Sequence, residues 1–381
     1  MRLSINKIII FGLVSRFAIA IFNGFFGPTL GGDLDAQGIN DFASAVAKTG
    51  SFDDFEIGYV PYSNFLGAFY RLTVNHIFVG SILSCIAWVG SAYILRKSFY
   101  LMGSNISRTK NALLLYALLP SSFMFTAVTL REPYQLLFMN IAIYSVLEIY
   151  LFKKNWHWFS FVLAIFGAGV LHGALLAFGF IILSGSLILV SMPRERGASW
   201  LGFCLIGVSV AFLLSYGYIW FSDFSYNISA GLDSSVEEYQ LGVLRSDGRT
   251  NYISDVSVSS FGELIFFFPI SFFKYLFEPF PWHVSSSIDL GLLIENLVRV
   301  WLIWKALKSV QFASGEKHRL LVFFFISYIV MEAIWSLGTV NWGTSVRHHI
   351  PALGFLLLVA FSVGNSKEID EYVYSKEIRK N

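Results

Sequence analysis

The sequence predicts an all-α polytopic membrane protein with about ten transmembrane helices and two large outer loops that contain interfacial helices. Three observations predict it. Of the 381 residues, 55% are hydrophobic and only 14% charged, where a soluble domain has about 25% charged residues. Apolar runs approach the roughly 20 residues that a helix needs to cross a bilayer core. Lysine and arginine also concentrate in every second connection between those runs, as short cytoplasmic loops require.

The predicted spans run approximately from Ile8 to Phe26, His76 to Leu95, Ala112 to Thr129, Gln135 to Phe152, Phe159 to Leu171, Ala174 to Val190, Trp200 to Phe221, Ile288 to Trp304, Leu320 to Trp335 and Ile350 to Val363. The fifth is short. Alternation then puts Arg2, Lys7, Arg96, Lys97, Arg108 and Lys110 on the cytoplasmic side, with Lys153, Lys154, Arg194, Arg196, Lys305 and Lys308. Lys48, Arg71, Arg131, Arg245, Arg249, Lys274 and Arg347 fall outside, with most of the carboxylates. Both termini are expected in the cytoplasm. Arg16 interrupts the first apolar run and no small-residue cleavage site follows it, so that run reads as a retained helix rather than a signal peptide.

Residues 1–364 form one transmembrane domain on this reading, and residues 365–381 a charged cytoplasmic tail with no apolar face. The outer segments run from Gly27 to Asn75 and from Ser222 to Ser287. Within them Tyr59 to Val74 and Phe261 to Trp282 read as helices lying in the interface, broken at Pro61, Pro269, Pro279 and Pro281. The net charge of +2, with no basic stripe among exposed aromatics, excludes a nucleic-acid partner. Cys85 and Cys204 both lie in apolar runs and read as packing residues.

The first outer segment carries Asp33, Asp35, Asp41, Asp53, Asp54 and Glu56 against the single base Lys48. Asp33 and Asp35 follow the first span closely, at the lipid–water boundary. One residue apart, they point the same way in an extended segment and roughly 200 degrees apart in a helix. A carboxylate there can act as a general base toward a sugar hydroxyl, or ligate a divalent cation that neutralises a diphosphate. It can also be part of a solvated acidic loop.

Arg131 and Glu132 occupy the short outer turn TLREPY, with Pro133 as a first helical residue. They face the same side, whether as a local ion pair or as substrate ligands. His172, in the LHG turn, is a packing histidine or a phosphate contact. Arg245 and Arg249 in LGVLRSDGRT are a clamp for a pyrophosphate or solvated loop charges beside Asp247. His283, after EPFPW, is a candidate of the same sort. Arg347, His348 and His349 precede the last span, where three potentially cationic groups would meet a polyprenyl phosphate at head-group depth. Within the bilayer, Glu295 and Arg299 are spaced for an ion pair and Arg16 is expected to pair with Glu295, as a structural pair before a proton relay of a transporter.

Several stretches in order resemble the membrane glycosyltransferases of the GT-C fold, bacterial relatives of dolichyl-phosphate-mannose and aminoarabinose transferases. They are the acidic loop GGDLDAQGINDFASAVAKTG, the proline-headed VPYSNFLGAFYRL, the turn in LLPSSFMFTAVTLREPYQL, the pair GAGVLHGAL and the late VRHHIPAL. The likeness covers the first half well and the second half loosely. His172 stands where many members have Arg, and the large soluble C-terminal domain of some members is absent. The resemblance implies an enzyme of the bacterial inner membrane that transfers a sugar from a polyprenyl-phosphate or diphosphate donor at its outer face. The acceptor would be a lipid or glycan, and a first-loop aspartate, Asp35 before Asp33, would be the base. Oligosaccharide-unit polymerases of the O-antigen type are similar in size and outer loops. A flippase or transporter of lipid-linked sugars would use the same charged cavity without chemistry.

Overall fold

The computed structural model describes residues 4–28, 34–52, 57–192, 261–339 and 341–363, with Trp200, Cys204 and Gly207. Asp33, Arg245, Arg249, most of the predicted seventh span and the charged tail lie outside the described residues. All regular elements among the described residues are helical, as the apolar runs predict.

In chain order these are α1 (Ile5–Phe25), α2 (Leu34–Thr49), α3 (Tyr59–Leu72), α4 (Ile77–Leu101), α5 (Ile106–Leu118), α6 (Pro120–Phe125) and α7 (Glu132–Phe152). Then come α8 (His157–Leu171), α9 (Gly173–Ser191), α10 (Phe261–Phe277), α11 (Ser287–Phe312), α12 (Gly315–Gly338), α13 (Trp342–His348) and α14 (Leu353–Phe361). Side-chain caps fix several starts. Ser4, Asn105, Ser286 and Asn341 each accept the backbone N–H three residues on, at 3.4, 2.9, 3.2 and 2.7 Å.

Five of these helices, α1, α4, α7, α9 and α12, are long and apolar enough to cross a membrane, and the pair α13–α14, bent by 62°, makes up to six. The chain is therefore a multi-pass helical membrane protein. The helix α8, which covers the predicted fifth span, is a shorter apolar helix of 15 residues. The expected third span, Ala112 to Thr129, is not one helix. Leu119 sits at φ −55°, ψ 126°, the extended conformation a residue takes before proline, and Pro120 opens the separate α6. The expected tenth span, Ile350 to Val363, holds the shorter α14, which starts at Leu353 and is bent by 62° from α13 across His349–Ala352.

The expected pairing of Arg16 with Glu295 is replaced by an indirect one. Both are buried, on either side of α6. At its N-terminal end, Glu295 accepts the Ser121 N–H at 2.8 Å and the Ser121 hydroxyl. At the other end, Arg16 donates to the Ser122 carbonyl at 3.2 Å and the Thr126 hydroxyl at 2.7 Å. An anion at the start and a cation at the end complement the helix dipole, so a six-residue helix is held by charges that never touch. Arg16 also donates to the Gly12 and Ala117 carbonyls, at 3.1 Å each, and lies 3.7 Å over the Trp88 ring. Glu295 keeps the expected contact with Arg299, at 3.4 Å.

The main apolar core runs through α4, α5, α7, α8, α9, α12 and α14. A second cluster joins Ala36, Ile39 and Ala43 of α2 to Tyr62, Leu66 and Tyr70 of α3, and both to Val128, Leu130 and Leu171 at the ends of the bundle helices. The pair α2–α3 is thus a cap over one end. Its close approach depends on Gly67, where a Cβ would lie 2.7 Å from the Ala43 carbonyl oxygen.

Candidate functional site

Under the α2–α3 cap, three segments far apart in sequence meet. Asp35 stands in the first turn of α2, Glu132 in the first turn of α7 and Arg347 in the last turn of α13. The sequence left open whether Asp35 is extended or helical. It is helical, and its place at the start of the helix suits a carboxylate.

Arg347 divides its donors between the two acids. Its Nε and Nη2 both reach Glu132 Oε1, at 2.9 and 2.6 Å, while Nη1 contacts Asp35 Oδ2. The two contacts differ in setting. The Glu132 side chain is 4% exposed and the Asp35 side chain 65% exposed. Glu132 is therefore the buried anchor, and Asp35 the carboxylate at the mouth. Glu132 Oε2 has no hydrogen-bond partner among the described residues. Phe125, the last residue of α6, lies with its ring 6.0 Å from the guanidinium, so the Arg16–Glu295 clamp also sets the floor of the site.

Arg131, just before α7, donates from Nη1 to the Leu171 carbonyl at 3.1 Å, and so joins the TLREPY turn to the LHG turn. Next to it, the His172 ring packs 4.4 Å from Trp335 and 5.8 Å from His348, while Trp335 stacks on His348 at 4.0 Å. His172 is kept neutral, its pKa pushed down to about 3 by burial first and then by the cations Arg131 and Arg347. Its Nδ1 accepts the Ala174 N–H at 3.3 Å, which caps α9 and leaves the proton on Nε2. His348 has the opposite tautomer. The Thr339 hydroxyl donates to the Trp335 carbonyl at 2.8 Å, so neutral His348 donates its Nδ1–H to Thr339, at 2.8 Å, and offers Nε2 as an acceptor.

Asp35, Arg131, Glu132, His172, Arg347 and His348 thus lie at one end of the bundle. The three-cation boundary expected at Arg347, His348 and His349 is different in detail. His349 turns inward and pairs with Glu332 at 2.6 Å, and Arg347 is already neutralised by carboxylates. His283 is also elsewhere, bonded to Glu278 at 2.8 Å and stacked parallel to Trp342. Trp335 and Thr339, which orient the histidines, carried no signal in sequence except their place at the end of an apolar run.

Among the described residues no group of three or more His, Cys, Asp or Glu is placed to hold a metal ion. Between Asp35 and Glu132 the positive charge is supplied by Arg347 itself. The arrangement can take a proton at Asp35 and meet an anion with Arg347 and Arg131. No family model, no curated protein and no solved structure matches this chain.

Proposed function

We propose that the chain is a membrane glycosyltransferase of GT-C type. It would transfer a sugar or oligosaccharide from a polyprenyl-phosphate or diphosphate donor at the outer face of a bacterial inner membrane, in cell-surface polysaccharide or glycolipid assembly. The observation that carries the reading is the division of Arg347 between a buried Glu132 and an exposed Asp35.

Glu132 fixes the guanidinium through Nε and Nη2, which leaves Nη1 facing the mouth. A donor phosphate binding there would replace Asp35 on Nη1. Asp35 would then be free to take the proton of an acceptor hydroxyl as that oxygen attacks the anomeric carbon and the lipid phosphate departs. Before the donor arrives, the ion pair holds the base out of use. Arg131 adds a second cation for the phosphate, and His172, as a neutral Nε2–H donor, offers a hydrogen bond without a charge. About ten spans, both termini in the cytoplasm and the cap on the outer side complete the reading, with Asp33, Arg245 and Arg249 as further candidates on the same side. A repeat-unit polymerase of the O-antigen type would use the same groups.

A second reading, transport of lipid-linked sugars, is favoured by one observation. Glu295, Arg299, Glu332 and His349 surround a cavity of about 20 Å³ inside the bundle, which is room for one water molecule. The test uses purified protein in vesicles with a radiolabelled polyprenyl-linked sugar and a glycan acceptor. Transfer puts the label on the acceptor. Label that crosses the vesicle still bound to its lipid would favour transport and contradict the proposal.

A further inference from the structure

We propose that the groove at the other end of the bundle, between α1, α4 and α5, binds the phosphate group of an anionic membrane lipid. The groove has a volume of about 440 Å³, and Arg96, Lys110, Asn6, Ser104 and Thr109 are the polar residues among those that line it, with Ser4. That volume is within the range of sites that hold small ligands.

Among the described residues no carboxylate lines it. Arg96 commits Nη1 to Asn6 at 2.7 Å and keeps its other donors, while Lys110 makes no hydrogen bond or ion pair among the described residues. Ser104 Oγ is buried and has no partner there either. Two half-buried cations that line one groove favour an anion in it, and a hydroxyl donor in the same lining suits a phosphate oxygen.

The position argues for a lipid as the source of that phosphate. Both α1 and α4 are long and apolar enough to cross a membrane, and the groove lies at their ends, the α1 start and the last turns of α4. At 25 residues α4 is about 37 Å long, so its ends reach the head-group layer of a core about 30 Å thick. Tyr100 and Ile106, which line the groove, are 59% and 67% exposed, and Ile10 and Phe11 of α1 present further apolar surface. An acyl chain can lie along that surface below a phosphate held in the groove, whereas a soluble phosphate gains nothing from it. The site is independent of the proposed reaction at the opposite end.

The test is lipid binding to the full chain in mild detergent, read by native mass spectrometry and by the thermal midpoint. The probes are phosphatidylglycerol, phosphatidylcholine and inorganic phosphate. Phosphatidylglycerol should be retained and raise the midpoint, with much weaker effects from the other two. Lys110→Gln, at a side chain with no hydrogen bond or ion pair among the described residues, should weaken phosphatidylglycerol binding about fivefold, and Arg96→Gln with Lys110→Gln further still. Lys97→Gln with Lys308→Gln, which removes two cations outside the groove, should bind as the unaltered chain does. Equal binding by Lys110→Gln and the unaltered chain would overturn the proposal. So would an equal loss in the Lys97 and Lys308 variant, or inorganic phosphate acting as strongly as the lipid.

Discussion

Replacing Arg347 with methionine should destabilise the protein far more than replacing Asp35 with asparagine, although both touch the same guanidinium. Glu132 Oε1 would lose both of its partners, at 2.9 and 2.6 Å, on a side chain only 4% exposed, and Oε2 has none in reserve among the described residues. Removing one partner of a buried pair costs about 3–5 kcal/mol, because a charge is left without compensation. The Asp35 side chain, 65% exposed, can turn to water, and its contact contributes about 0–1 kcal/mol. Adding Glu132→Met to Arg347→Met removes the stranded charge and should restore most of the loss, about 2–3 kcal/mol. Denaturant unfolding in mixed micelles, followed by tryptophan fluorescence, measures all four proteins. An Asp35→Asn variant as unstable as Arg347→Met, or a double variant no better than the single, would refute the division into buried anchor and free base.

Three further outcomes are expected. Arg16→Lys keeps the charge but cannot reach the Gly12, Ala117 and Ser122 carbonyls together, so it should cost at least about 1–3 kcal/mol in the same unfolding assay. Gly67→Ala should cost about 1–3 kcal/mol, since the new Cβ would meet the Ala43 carbonyl oxygen at 2.7 Å and force α2 away from α3, and turnover should fall with it. The folded pKa of His172 is depressed from 6.5 to about 3, so the unfolded chain binds more protons between those values and stability falls as pH drops through that window. His172→Asn keeps an acceptor for the Ala174 N–H and removes the titration, so its unfolding midpoint should depend less on pH below 6.5.

Local features were legible in the sequence because they depend on a few neighbouring residues. The apolar runs that became α1, α4, α7, α9 and α12 fall where their composition put them. The helix α3 begins at Tyr59, as expected, but Pro61 lies in its first turn and Pro269 inside α10, so neither proline breaks its helix where a break was expected. The break at Pro120 was visible in principle, since the residue before a proline is driven out of the helical region, but a hydropathy window averages over it. What the sequence could not give was partnership at long range. Asp35 and Arg347 are 312 positions apart, and nothing local marks one as the counter-ion of the other. Spacing argued for Glu295 with Arg299, and depth alone suggested Arg16. The structure keeps the first contact and places α6 between the other two, an arrangement that depends on where a broken helix ends.

The most direct test of the proposed function is the turnover of Asp35→Asn with a radiolabelled polyprenyl-linked donor, at matched membrane abundance. The substitution keeps the shape of the side chain and removes its proton-accepting charge. Turnover should fall roughly 100-fold or more, while the unfolding midpoint and donor binding stay near those of the unaltered protein. Near-normal turnover in Asp35→Asn would contradict the assignment of Asp35 as the base.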